Sequence, residues 1–180
     1  MKNISAWAAI AGLTFCSTAF AAGPQTKATP APVASEELWK GPIPDQEIQL
    51  SALVGASISG THGDLAMAFD VAKRVVEHGF IPDISDDVFL ELGLGPDLLA
   101  SPGTGILYSV HARWNFHMNE IWSLYAIAGV GGSVITTNGS NTASMHPRLS
   151  AGAFYHVAPA LALRMEIGAD FLGGGISVGF

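Results

Sequence analysis

From Glu47 to its last residue the chain alternates between apolar and polar or small side chains. In "TGILYSVHARWNFH", Ile106, Tyr108, Val110, Ala112, Trp114 and Phe116 fall on one face. Leu107, Ser109, His111, Arg113 and Asn115 fall on the other. Alternation sustained over more than about ten residues is a strand signature, and this length suits a tilted membrane-crossing strand. The same parity sets Ile48, Leu50, Ala52, Val54, Ala56 and Ile58 against Gln49, Ser51, Gly55 and Ser57. It sets Val88, Leu90, Leu92 and Leu94 against Glu91 and Gly93, and Trp122, Leu124, Ala126, Ala128 and Val130 against Ser123, Tyr125 and Gly129. Further on, Leu149, Ala151, Ala153, Tyr155 and Val157 oppose Arg148, Ser150, Gly152 and His156. Read as one run, Leu161, Leu163, Met165, Ile167, Ala169 and Phe171 oppose Arg164, Glu166, Gly168 and Asp170.

One segment, "DLAMAFDVAKRVVEHG", fits two periods. As an amphipathic helix it carries a stripe of Leu65, Ala68, Phe69, Ala72, Val75 and Val76, with Asp64 able to cap its start and Gly79 its end. As a strand it sends Leu65, Met67, Phe69 and Val71 outward and Asp70 and Arg74 inward, with Lys73 near a membrane edge. Counting decides for the strand. Without this segment there are seven strands, with it eight, and bacterial single-chain barrels have even strand numbers.

The first residues read differently. "MKNISAWAAIAGLTFCSTAFAAG" has Lys2, a short apolar core and an Ala19-Phe20-Ala21 end, the pattern of a cleaved secretory signal over 1–22. Residues 23–46 are rich in Pro and Ala, lack a period, and read as a periplasmic linker. The barrel then occupies 47–180. Cleavage removes Cys16, the single cysteine, so no disulfide is available. A bulky Phe15 before Cys16 argues against a lipoprotein site.

Composition supports the strand reading. Mean hydropathy is +0.37 and 13% of residues are charged. Yet the longest apolar stretch, "IWSLYAIAGVGGSVI", holds three glycines and two serines and is too short and too broken for a spanning helix. Removing Lys2 leaves seven of eight basic side chains against fifteen acidic ones, a balance that opposes nucleic-acid binding.

A secreted chain that enters from the periplasm sends its first strand outward and returns with its eighth. The "HMNE" and "VAPA" connections are then short periplasmic turns, and "GGSVITTNGSNTASMHP" is a long outer loop. "HGFIPDISDD" is longer than a periplasmic turn should be. By parity Trp114, Phe116, Trp122, Tyr155 and Phe180 face outward near periplasmic strand ends, which predicts an aromatic girdle at a membrane interface. Tyr108 and Phe171 are expected at the opposite rim.

These strands, the leader and the terminal "ISVGF" resemble the small eight-stranded outer-membrane barrels of the outer membrane protein A type, over about 47–180. The resemblance implies an all-β, antiparallel, up-and-down transmembrane barrel in the outer membrane of a Gram-negative bacterium. It also implies that Ile176, Val178 and Phe180 are read by the barrel-assembly machinery. No peptidoglycan-binding domain is expected after the barrel.

Chemistry is sparse. The inward face holds Asp70, Arg74, Glu91, Arg113, Arg148, Arg164, Glu166 and Asp170, with His111 and His156. An eight-stranded barrel is just wide enough for side chains to fill, so these charges are expected to pair into a plug rather than line a gated path. Ser109, His111 and Ser150 point inward, away from lipid. In the outer loops His62, Asp64 and His146 lack a third partner for catalysis or metal-ligand spacing. The expectation is a monomeric, non-enzymatic barrel with no cofactor and a structural or interaction role. Its partners are outer-membrane lipid and, during biogenesis, the assembly machinery; no loop ligand is legible. The alternatives are a lipid-modifying enzyme using His62 and Asp64, and a small-solute channel.

Overall fold

A computed structural model describes residues 38–59, 62–98, 104–137 and 139–180. The predicted signal peptide and most of the predicted linker lie outside these residues. Eight antiparallel strands close into a barrel in sequence order: β1 (Ile48–Ser59), β2 (His62–Val76), β3 (Asp86–Leu98), β4 (Thr104–His117), β5 (Trp122–Thr137), β6 (Ser140–Ala158), β7 (Leu161–Gly168) and β8 (Phe171–Gly179). The ambiguous segment is a strand, because β1 and β3 both need a partner and closure leaves no edge for a helix to cover. Its register, Ser51↔Asp70 and Leu50↔Val71, puts Asp70 inside and Val71 outside.

The sides of the barrel reverse those of a water-soluble protein. Leu65, Leu94, Leu149 and Ile167 point outward and are 55–63% exposed. Inside, Glu91, Arg113, Arg164 and Glu166 are buried to within 2% of complete. No helix of the described residues is long and apolar enough to cross a membrane, which leaves strands untouched.

The terminal end of the barrel carries the turns 77–85, 118–121 and 159–160 and the last residue; the distal end carries the other connections. The β2–β3 connection is long because it has a partner. Ser85 N donates to Trp39 O at 2.8 Å, and Gly41 N donates to His117 O at 3.0 Å. The described tail of the predicted linker, 38–46, has no regular secondary structure and lies against this end, where Arg74 Nη1 donates to Pro44 O at 2.8 Å. The chain's end is fastened too: Phe180 N donates to Ile48 O at 2.8 Å, and Glu47 N donates to Phe180 O at 2.9 Å.

Two expectations need correction. The predicted long loop after β5 is mostly strand: β5 and β6 stay paired up to Thr137↔Ser140, so it is an extended hairpin. From Thr136 to Ser144 its described residues are exposed on both faces, so alternation no longer marks it. Phe171 points inward and is 3% exposed, packed with Leu53 and Ala66. The chain turns at Ala169–Asp170, and parity carried through a turn is lost.

Candidate functional site

The terminal half of the lumen is filled. Glu91 Oε2 lies 2.5 Å from Arg113 Nη1, and Glu91 Oε1 lies 2.7 Å from Arg164 Nη2 and 2.9 Å from His111 Nε2. Arg164 also reaches Glu166 at 2.8 Å and Asp70 at 3.3 Å. Arg148 joins Glu166 at 2.5 Å to Asp170 at 2.7 Å. Seven of the eight predicted lumen charges thus form one connected set of four carboxylates and three guanidiniums. Alternation builds the set, since β2, β3, β4, β6 and β7 each send every second residue to the axis, with Asp170 added from the β7–β8 turn. Rings complete the filling: the Arg113 guanidinium lies 4.9 Å from the Phe89 centroid and 5.0 Å from that of Phe154, and Arg164 lies 5.1 Å from that of Tyr125. Arg113 Nη2 donates to Gln49 Oε1 as well.

Arg74 stands apart, 4.0 Å from both Asp87 and Asp45 at the terminal end. A second string of polar groups lies there that the sequence reading missed. Asp87 Oδ1 is 3.4 Å from His117 Nε2, His117 Nδ1 is 2.9 Å from Ser123 Oγ, and Ser123 Oγ is 2.9 Å from His156 Nε2. Asn115 Nδ2 donates to Asp87 Oδ1 at 2.7 Å. Parity contained the signal, since Asn115 and His117 continue the inward positions of β4. Carboxylate, imidazole and serine follow in the order of a hydrolytic relay, but Ser123 is 1% exposed, so a substrate has no access to its oxygen.

The distal half of the lumen is hollow. A cavity of about 640 Å3 sits above the network, lined on its floor by Asp70, Arg148 and Asp170. Its walls carry small residues (Ser57, Ala68, Gly93, Ser109, Ser133), with apolar patches at Leu107, Ile135 and Phe171. Two buried polar atoms of its lining residues, Asp170 Oδ1 and Arg148 Nε, have no hydrogen-bond partner among the described residues, and neither has Asp97 Oδ2, behind the lining Ser57. Asp97 accepts from Ser57 through its other oxygen at 2.9 Å. Ser109 lines the cavity, whereas Ser150 donates to Glu166 at 3.0 Å. His146 lies 3.3 Å from Asp170. Asp64 is 8% exposed, and the His62 side chain lies outside the described residues. Among the described residues no group of three or more potential metal ligands comes together.

On the outside, Trp114 and Phe116 stack at 5.0 Å, and Trp122 and Tyr155 meet edge-on at 5.0 Å. Trp114 Nε1 donates to Asp86 Oδ2 at 2.6 Å. Ile176 pairs with Ala52 and Val178 with Leu50, facing outward, and Phe180 is 67% exposed.

No protein-family model matches the chain, and no curated protein matches it. Solved structures do. The N-terminal β-barrel domain of Pseudomonas aeruginosa OprF superposes with a TM-score of 0.58 at 18% identity, over 75% of this chain and 98% of that one. A chain from the de novo design of transmembrane β-barrels gives 0.55 at 20% identity, over 74% and 94%. Neisserial surface protein A gives 0.50 at 16%, over 74% and 96%. Likeness at these identities is likeness of fold, and the fold is that of the eight-stranded outer-membrane β-barrels.

Proposed function

We propose that this chain is an integral outer-membrane barrel of a Gram-negative bacterium with a structural or binding role, neither an enzyme nor an open pore. The observation that carries the reading is the apolar belt. A closed barrel that turns leucine and isoleucine outward and arginine and glutamate inward has its low-energy solvent in hydrocarbon. The terminal end lies in the periplasm with the aromatic girdle at that interface, and the distal end faces outside. The network from Asp70 to Asp170 acts as a plug: four carboxylates and three guanidiniums crossing a lumen of this width leave no continuous water column. Ile176, Val178 and Phe180 serve the assembly machinery, and the barrel works as a monomer. Interaction takes place at the outer end.

The test is gel mobility of detergent-extracted envelope protein with and without boiling, followed by planar-bilayer recording. A heat-modifiable band and silent bilayers are expected. Release from the envelope without detergent, with no mobility shift, would remove the membrane reading. Steady single-channel conductance would remove the plug.

A further inference from the structure

The β7–β8 hairpin is too short for its place. β7 has 8 residues and β8 has 9, whereas the other six strands have 12 to 19. Eight residues at ~3.3 Å each, tilted by ~40°, climb roughly 20 Å, less than the ~25 Å apolar band of an outer-membrane barrel. The shortfall lies wholly at the distal end. Tyr155 of the aromatic girdle pairs with Leu163, two residues after β7 begins, so the other end of the hairpin is level with the girdle.

The neighbouring strands continue past the hairpin. β6 pairs with β5 from Ser140 onward, but its pairing with β7 begins at Ser150↔Gly168. Residues 140–149 of β6 therefore have a strand on one side only. Across the gap, β8 begins at Phe171↔Ser57, leaving Ile58 and Ser59 of β1 beyond it. The wall is notched, and the cavity lies directly behind the notch, because His146, Arg148, Ala169, Asp170 and Phe171 from its two sides all line the 640 Å3 space. Pro147, which has no N–H to leave unsatisfied, sits in the bare stretch of β6, as on an edge strand.

We infer that the cavity is a binding site entered sideways from the outer leaflet, and that it takes a single-chain amphiphile whose head donates hydrogen bonds, an alkylamine or alkanol. This rests on the membrane reading above. The volume falls within the ~300–1,000 Å3 of small-molecule sites. Leu107, Ile135 and Phe171 offer a surface for the chain. For the head, Asp170 Oδ1 is a buried acceptor lacking a donor, and Arg148 Nε is a donor lacking an acceptor, which a hydroxyl also satisfies. The one-charge acidic excess of the network favours an amine.

The test places methyl-labelled protein in lipid nanodiscs and adds dodecylamine carrying a nitroxide at its chain end. Neighbouring residues on opposite faces act as internal controls: Leu107 and Ile135 line the cavity, and Ile106 and Val134 face outward. The nitroxide should broaden all four. Gly131→Leu should fill the cavity, since a Cβ at Gly131 would find His146 and Asp170 atoms at ordinary contact, 3.4–3.5 Å away. That variant should cut broadening of Leu107 and Ile135 at least threefold and leave Ile106 and Val134 unchanged, and Ser109→Leu repeats the test from the paired position on β4. Sharp lumen methyls in the parent protein would overturn the inference. So would equal broadening by a short water-soluble nitroxide amine, which would make the cavity an aqueous vestibule. Protein that never enters nanodiscs would refute the membrane reading instead, a separate and visible failure.

Discussion

Glu91 and Arg164 meet at 2.7 Å with neither side chain exposed to solvent, and the same carboxylate holds Arg113 at 2.5 Å. Arg164 keeps Glu166 and Asp70 as further partners, whereas Glu91 is the one carboxylate ion-paired to Arg113 among the described residues. Glu91→Met should destabilise the barrel by about 3–5 kcal/mol, because it leaves the buried Arg113 guanidinium without its carboxylate partner. Glu91→Met with Arg113→Met removes one charge of each sign and should recover part of that loss, with a coupling of about 0.5–3 kcal/mol. Denaturant midpoints of barrel unfolding in lipid vesicles, with Arg113→Met alone completing the cycle, measure both; losses of the two single variants that simply add in the double variant would mean that the pair is not coupled.

The girdle makes a prediction about depth. Trp114 and Trp122 stand on the barrel's outer face at its terminal end, stacked on Phe116 and Tyr155. Their fluorescence should be quenched most by lipids brominated near the headgroup and least by lipids brominated at the chain end. Trp39→Phe removes the signal of the segment 38–46, which lies against this end of the barrel. Stronger quenching from the bilayer centre would place these rings in the hydrocarbon core and displace the barrel along its axis.

Most of the barrel was legible because alternation is imposed wherever one face meets hydrocarbon and the other a polar lumen. That is why Leu50, Phe69, Leu92, Val110 and Leu163 all point outward, as parity required. Legibility ends where the two-solvent condition ends. From Thr136 to Ser144 the described residues are exposed on both faces of the hairpin, and "SVITTNGSNTAS" reads as loop although its flanks, 133–137 and 140–144, are paired strand. A local signal was available there, since Asn-Gly flanked by strand residues is a strong two-residue hairpin signature. Phe171 failed for another reason: a turn at Ala169–Asp170 resets which face each residue takes. The cavity could not be read from one strand at all, because its hollowness is the sum of small residues on several strands, and its notch is a difference in strand length.

Gly139 carries the hairpin tip with φ +81, and a Cβ there would touch nothing within 4 Å. Space is free, so conformation alone sets the cost of a substitution. Gly139→Ala should lose about 1–2 kcal/mol for a left-handed backbone, with Gly139→Asn tolerated better. Because the tip lies beyond the apolar band, the loss should appear as faster amide exchange at Ser133–Ala143 and leave the global unfolding midpoint unchanged. A shifted midpoint would show that the hairpin folds as one unit with the barrel.

At the terminal end, the capping segment is held by one buried cation with several acceptors. Arg74 donates to Pro44 O at 2.8 Å and lies 4.0 Å from Asp87 and Asp45. Its side chain is nearly buried, whereas the Asp45 side chain is fully in solvent. The backbone contact should therefore dominate, and the exposed ion pair should count for little. Arg74→Met keeps the stem and removes the donors; the Gly41 amide, bonded to His117 O, should then exchange at least tenfold faster while the centre of β4 stays protected. Asp45→Ala should leave Gly41 exchange unchanged. If Asp45→Ala loosened the segment as much as Arg74→Met, the surface charge rather than the Pro44 carbonyl would be what seats residues 38–46 against the mouth.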